Sequence, residues 1–81
     1  MTLDFTPHFV RNYNKVPVRI QDAFHKQSLL LLDNLRHSSL RAKKYDESRD
    51  IWQARVTGDW RFYFKILGDV YRLEEIKAHP K

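Results

Sequence analysis

From Ile51 to His79 the chain alternates, and that alternation restricts the fold more than any other feature of the sequence. Even positions are apolar (Trp52, Ala54, Val56, then Trp60, Phe62, Phe64, Ile66), while odd positions are mostly polar (Gln53, Arg55, Thr57, then Arg61, Tyr63, Lys65). A period of two is that of a β-sheet with one face on a core and the other turned outward. Residues directly opposite in a sheet share a face, so the turns and the register are coupled. Keeping Val56 opposite Trp60 requires an odd turn, Thr57-Gly58-Asp59, and sets Arg55 opposite Arg61. Gly68-Asp69 reads as a two-residue hairpin turn between Leu67 and Val70. It pairs Ile66 with Tyr71, Lys65 with Arg72 and Phe64 with Leu73. Beyond Leu73 the phase slips, and a bulge at Glu74-Glu75 restores it. Ile76 then meets Phe62, Lys77 meets Arg61 and Ala78 meets Trp60, with His79 on the outer face.

Upstream, Leu3 and Phe5 suggest a first strand over Met1 to Phe5. Thr6-Pro7 has the form of a helix start, with Thr6 as N-cap and proline where its missing N–H costs nothing. That helix carries Phe9, Val10 and Tyr13 on one face and ends near Asn14. A second helix is expected from Pro17 to about Arg36, with Ile20, Ala23, Phe24, Gln27, Leu31 and Leu35 as its buried stripe. Leu29 to Leu32 are consecutive leucines, which fits either a helix buried on both sides or an exposed patch awaiting a partner. Leu40 to Tyr45 reads as a strand carrying Arg41, Lys43 and Lys44, followed by a charged turn from Asp46 to Asp50. The sum is a small two-layer α+β domain in the order β-α-α-β-β-β, with three or four strands in the meander. Its two helices pack on one face of a mostly antiparallel sheet.

With 81 residues and no cysteine, the chain is expected to form one domain, residues 1–81, held by packing alone. A net charge of +5 favours a polyanionic partner. No apolar run approaches the ~20 residues of a membrane span, and no signal peptide is visible, so the expected compartment is the cytoplasm.

Arg55, Arg61, Lys77 and His79 converge at one end of the outer sheet face. Opposed arginines are destabilising unless something negative lies between them, which points to an anion site. The only glycines are Gly58 and Gly68, leaving no phosphate-binding loop, and the four histidines lack metal-ligand spacing. Neither cofactor nor metal is expected. A metal-free ribonuclease fits such a cluster, because RNA supplies its own nucleophile in the 2′-hydroxyl. The protein has only to hold the phosphate, neutralise developing charge and move two protons. Arginine forks suit the phosphate, and histidine suits proton transfer near neutral pH. Tyr63 is a proton donor, a stacking surface for a base or a partner for Glu74. A solvated basic face is the plainer reading of the same residues.

The stretches ARVTGDWRFYF and GDVYRLEEIKAHPK resemble the C-terminal strands of the RelE/ParE toxin superfamily of bacterial type II toxin–antitoxin systems. The order of elements and the connector RHSSLRAKKY match as well, so the resemblance covers nearly the whole chain. It implies a toxin acting as a metal-independent mRNA endonuclease on the ribosome, with a ParE-like gyrase inhibitor as the alternative. It also implies a cognate antitoxin that wraps the toxin with an acidic, amphipathic segment. Arg61 matches the family arginine that supports phosphate, and Arg55 resembles a basic residue on the preceding strand. His79 resembles the near-terminal proton-transfer histidine of the YafQ-like branch, and Asp59-Trp60 its Asp-Trp pair. Trp52 and Ala54 stand where RelE has lysines. Lys77, Lys43, Lys44 and Tyr63 complete the expected RNA-binding set.

Overall fold

The computed structural model describes residues 1–79. In chain order the elements are β1 (Thr2–Phe5), α1 (Pro7–Tyr13), α2 (Val18–Asp33), a 3-10 turn (Ser38–Leu40), β2 (Lys43–Asp46), β3 (Ile51–Thr57), β4 (Trp60–Leu67) and β5 (Val70–Ala78). The strands form one sheet in the order β1-β5-β4-β3-β2, antiparallel throughout except for the parallel β1–β5 pair. This is the expected α+β arrangement, with four strands in the meander.

The N-cap of α1 ties the helix to the sheet. Thr6 Oγ1 accepts the Phe9 N–H at 3.1 Å, and its hydroxyl donates to the Leu73 carbonyl at 3.0 Å. The second helix is shorter than its periodicity suggests, ending at Asp33 rather than near Arg36. Asn34 is extended, and its side-chain oxygen accepts the Arg36 N–H at 2.9 Å, an alternative to helix continuation. Of the leucine run, Leu31 is fully buried while Leu29 is 54% exposed, so the helix is not covered all round. Leu40 does not begin a strand. It is buried in the 3-10 turn, Arg41 follows in the left-handed region (φ 47, ψ 42), and pairing starts only at Lys43.

Arg55 pairs with Arg61 as expected, but the parity is restored by a different device. Thr57 pairs with Trp60 across a two-residue Gly58-Asp59 turn, and the odd residue is absorbed as an irregularity at Val56, which stays buried. The second hairpin follows the expected register throughout. Leu67 pairs with Val70, Phe64 with Leu73, Tyr63 with Glu75 and Arg61 with Lys77, with Glu74 as the bulge. Gly68 takes φ 61, a conformation in which glycine has no Cβ penalty.

The core is a continuous chain of rings. Phe5 meets Phe9, Phe9 meets Phe24, Phe24 stands edge-on to Phe62 at 5.2 Å, and Phe62, Phe64 and Tyr71 continue the series. It joins β1, both helices, β4 and β5 in one cluster. Among the described residues no helix is long and apolar enough to cross a membrane.

α1 is also clasped to β5 by polar contacts. The Glu75 carboxylate accepts from His8 Nε2 at 2.7 Å, from Asn12 Nδ2, and from the Ile76 N–H at 3.0 Å. Burial works to raise this carboxyl, but the bonds from His8, Asn12 and Ile76 outweigh it and hold it below the usual range. A depressed folded-state pKa stabilises the native form above the unfolded value, about 4.3 for glutamate, and that gain vanishes as pH falls through the folded value. Glu75→Gln should therefore lower the thermal midpoint at pH 6–7. The gap from wild type should narrow as pH falls below the unfolded glutamate value, measured as Tm against pH.

Candidate nucleic-acid interface

β3, β4 and β5 carry one residue each into a transverse row, Arg55–Arg61–Lys77, fixed by the backbone register. Opposite residues in such a row stand with Cβ atoms about 5 Å apart, so three like charges repel one another. Among the described residues none of the three forms an ion pair with a carboxylate; the four pairs present are His8–Glu75, Lys44–Asp50, Arg49–Asp46 and Arg72–Asp4. The row is tempered in other ways. Arg61 Nη1 donates to the Thr57 carbonyl at 2.6 Å, to Trp60 at 2.9 Å and to Gly58 at 3.3 Å. The Lys77 ammonium lies over the Tyr63 ring, 5.2 Å from its centroid. Arg61 is thus both a candidate phosphate ligand and a brace for the Gly58-Asp59 turn, a structural role that its outward position in the strand does not reveal.

His79 follows the last residue of β5 and continues the ladder one step, its N–H donating to the Asp59 carbonyl at 2.7 Å. It shares a cavity of about 190 Å³ with Arg61, Lys43, Gln53 and Arg41. The structure therefore brings Arg61, His79 and Lys43 together, with Arg55 and Lys77 in the adjoining row. Among the described residues no three His, Asp or Glu side chains converge as a metal site needs.

Two expected members take other positions. Lys44 pairs with Trp52 in the register and so shares the helix-side face, opposite to Lys43. Its ammonium bonds Asp50 at 2.9 Å and sits 5.3 Å from the Trp52 ring, which removes it from the interface. Tyr63 does lie on the outer face, in the row Lys43–Gln53–Tyr63–Glu75, but is only 5% exposed. Tyr45 stands edge-on against it at 4.9 Å and Lys77 covers it, so its ring offers no open stacking face. Burial first, then the neighbouring Tyr45, raises the Tyr63 hydroxyl pKa, with Arg61 opposing, so the phenol stays protonated. It is placed to donate a hydrogen bond, not to stack.

Tyr45, Gln53 and Arg41 also belong to this face and were not among the expected site residues. Tyr45 is 56% exposed and supplies the open ring that Tyr63 lacks. Gln53 falls at an outer-face position by alternation, yet its near-complete burial depends on β2 lying alongside. Arg41 reads in sequence as an ordinary strand residue.

Gln27 underpins the whole edge. Its Nε2 donates to the Arg55 carbonyl at 2.8 Å and to the Ser39 carbonyl at 3.1 Å, bridging β3 to the 3-10 turn from a buried position on α2. β2 pairs with β3 only at Ile51, Trp52 and Gln53, so this amide stands in for a missing strand partner. Gln27→Leu keeps the volume but orphans two carbonyls. The expected loss is about 1–3 kcal/mol, read as a fall in Tm of roughly 4–8 °C per kcal/mol for a domain of this size.

Solved structures share this arrangement of helices and sheet. No family model and no curated protein sequence matches the chain. YafQ from E. coli superposes with a TM-score of 0.78 at 16% identity, over 95% of this chain and 91% of that one. A YoeB/ParE toxin from Agrobacterium tumefaciens gives 0.79 at 14%, over 99% and 100%. The RelBE2 toxin–antitoxin complex from Mycobacterium tuberculosis contributes a chain matching at 0.77 and 20%, over 96% of each. The chain has the fold of the RelE/ParE toxins.

Proposed function

We propose that this single-domain protein is the toxin of a two-protein module and cuts messenger RNA in the cytoplasm on the ribosome, without a metal. The observation that carries the reading is the Arg55–Arg61–Lys77 row, free of carboxylate partners among the described residues, beside a cavity shared by Arg61 and His79. An RNA phosphate at that row relieves the like-charge repulsion and places its ester oxygens among guanidinium donors. The 2′-oxygen attacks phosphorus and the bond to the 5′-oxygen breaks. One proton leaves the 2′-hydroxyl and one reaches the departing 5′-oxygen. His79 is assigned a proton-transfer role, as general acid or base; Arg61 and Arg55 balance charge on the phosphoryl oxygens; Lys43 and Lys77 hold the flanking backbone. Similarity to toxins crystallised with antitoxins, such as the DinJ–YafQ complex, supports a protein partner of the same kind. Phe5, Val10 and exposed Leu29 line an apolar groove of about 430 Å³ suited to an amphipathic segment, and the net charge of +5 favours an acidic one.

The test is cell-free translation of a defined message with primer extension of its 5′ ends. New ends appearing only with ribosomes are expected. Arg61→Ala should reduce cutting by about 10²-fold or more; because Arg61 also braces the turn, its Tm must be followed in parallel. Arg61→Lys, which keeps the charge but loses the fork, should recover only part of the activity. His79→Ala should slow cutting by about 10²–10⁴-fold with RNA binding retained. An intact message with wild-type protein would overturn the reading. The YoeB/ParE description of the Agrobacterium structure keeps gyrase inhibition as the alternative, for which loss of supercoiling activity with uncut RNA is the signature.

A further inference from the structure

Among the described residues Arg41 is one of two non-glycine residues with positive φ, the other being Asp50. Glycine or asparagine is the relaxed choice at the end of a helical turn in this conformation, so an arginine there is held against its backbone preference. Its side chain also lines two hollows at once. One is the cavity with Arg61 and His79; the other is an open groove of about 620 Å³ bordered by Ser38, Ser39, Arg55, Thr57 and Gly58. Arg55 and Arg41 are the cations of this groove, and hydroxyls make up much of the remaining lining. The floor is rigid, since Gln27 fixes both the Ser39 and Arg55 carbonyls.

We propose that Arg41 joins the two hollows into one trough, and that the groove is a second subsite holding the nucleotides that flank the phosphate bound at Arg61. The polyanion crosses the end of β3 and passes over the 3-10 turn. Arg41 contacts the phosphate between the two subsites, and the serine and threonine hydroxyls meet sugar or base edges. This rests on the RNA reading and adds a defined path and a binding residue to it.

The experiment uses single-stranded 2′-O-methyl oligonucleotides, which have no free nucleophile, of two and six residues, titrated against the whole chain across a salt series. The probe variant is Arg41→Gly, which relieves the left-handed backbone and should keep or raise Tm, so a binding loss is not unfolding. Expected is tighter wild-type binding of the six-mer than of the dimer. Arg41→Gly should weaken the six-mer about tenfold, lower its salt slope by about 0.7, and weaken the dimer by a smaller factor, since Arg61 remains in the cavity that holds its phosphate; Arg61→Lys should weaken both. Six-mer binding by Arg41→Gly equal to wild type would overturn the trough while leaving the RNA reading standing. Failure of wild type to bind either length would overturn both.

Discussion

The bulge at Glu74 governs the rest of this molecule. Up to Leu73, β5 alternates in step with β4, and without an extra residue Ile76 would face out while Lys77 faced the core. Burying an unpaired ammonium is far more costly than accommodating one unpaired strand residue, so the register has a single acceptable solution. That solution sets Lys77 beside Arg61 and carries His79 to the same face. The irregularity also falls next to the carboxylate that His8 and Asn12 grip from α1. One inserted residue therefore fixes the core, the cationic row and the docking of the first helix.

The outer face is left electropositive by the disposition of the acidic residues. Glu75 lies two residues before Lys77 in β5 and in the same row as Tyr63, where it could neutralise the site. Instead its oxygens are taken by α1. Asp50 is held by Lys44 and Asp46 by Arg49 at the far edge, and Asp4 pairs with Arg72 near β1. The Thr57, Gly58 and Trp60 carbonyl oxygens and the Tyr63 ring offset part of the repulsion within the row. Partial charges of that kind order the cations without cancelling their field. Such a face keeps most of its positive field.

The helices act on the interface from behind. α2 buries Ile20, Phe24 and Leu31 against the sheet, and from the same stripe Gln27 reaches the free edge of β3. A buried amide there supplies the hydrogen bonds that β2, leaving early, does not. The 3-10 turn is anchored by Leu40 in the core, so Arg41 emerges from a fixed base. Packing on one side of the sheet thus decides how rigidly the cations on the other side are presented.

Alternation of period two, two Gly-Asp turns and one phase slip determined by themselves the second hairpin's register and the alignment of Arg55, Arg61 and Lys77. These are local properties: side-chain direction follows from strand position, and turn chemistry from the residues in the turn. The first hairpin showed the limit of such reasoning, since parity requires one odd residue but does not say whether turn or strand absorbs it. What only tertiary structure decided depends on segments far apart in the chain. Tyr63 is covered because Tyr45 arrives from β2, and Lys44 is lost to the interface because that strand's register turns it toward Trp52. Gln27 becomes a strut because α2 crosses the edge of β3. Arg41 is the extreme case, for its left-handed backbone, which follows the 3-10 turn that buries Leu40, has no signature in the local sequence.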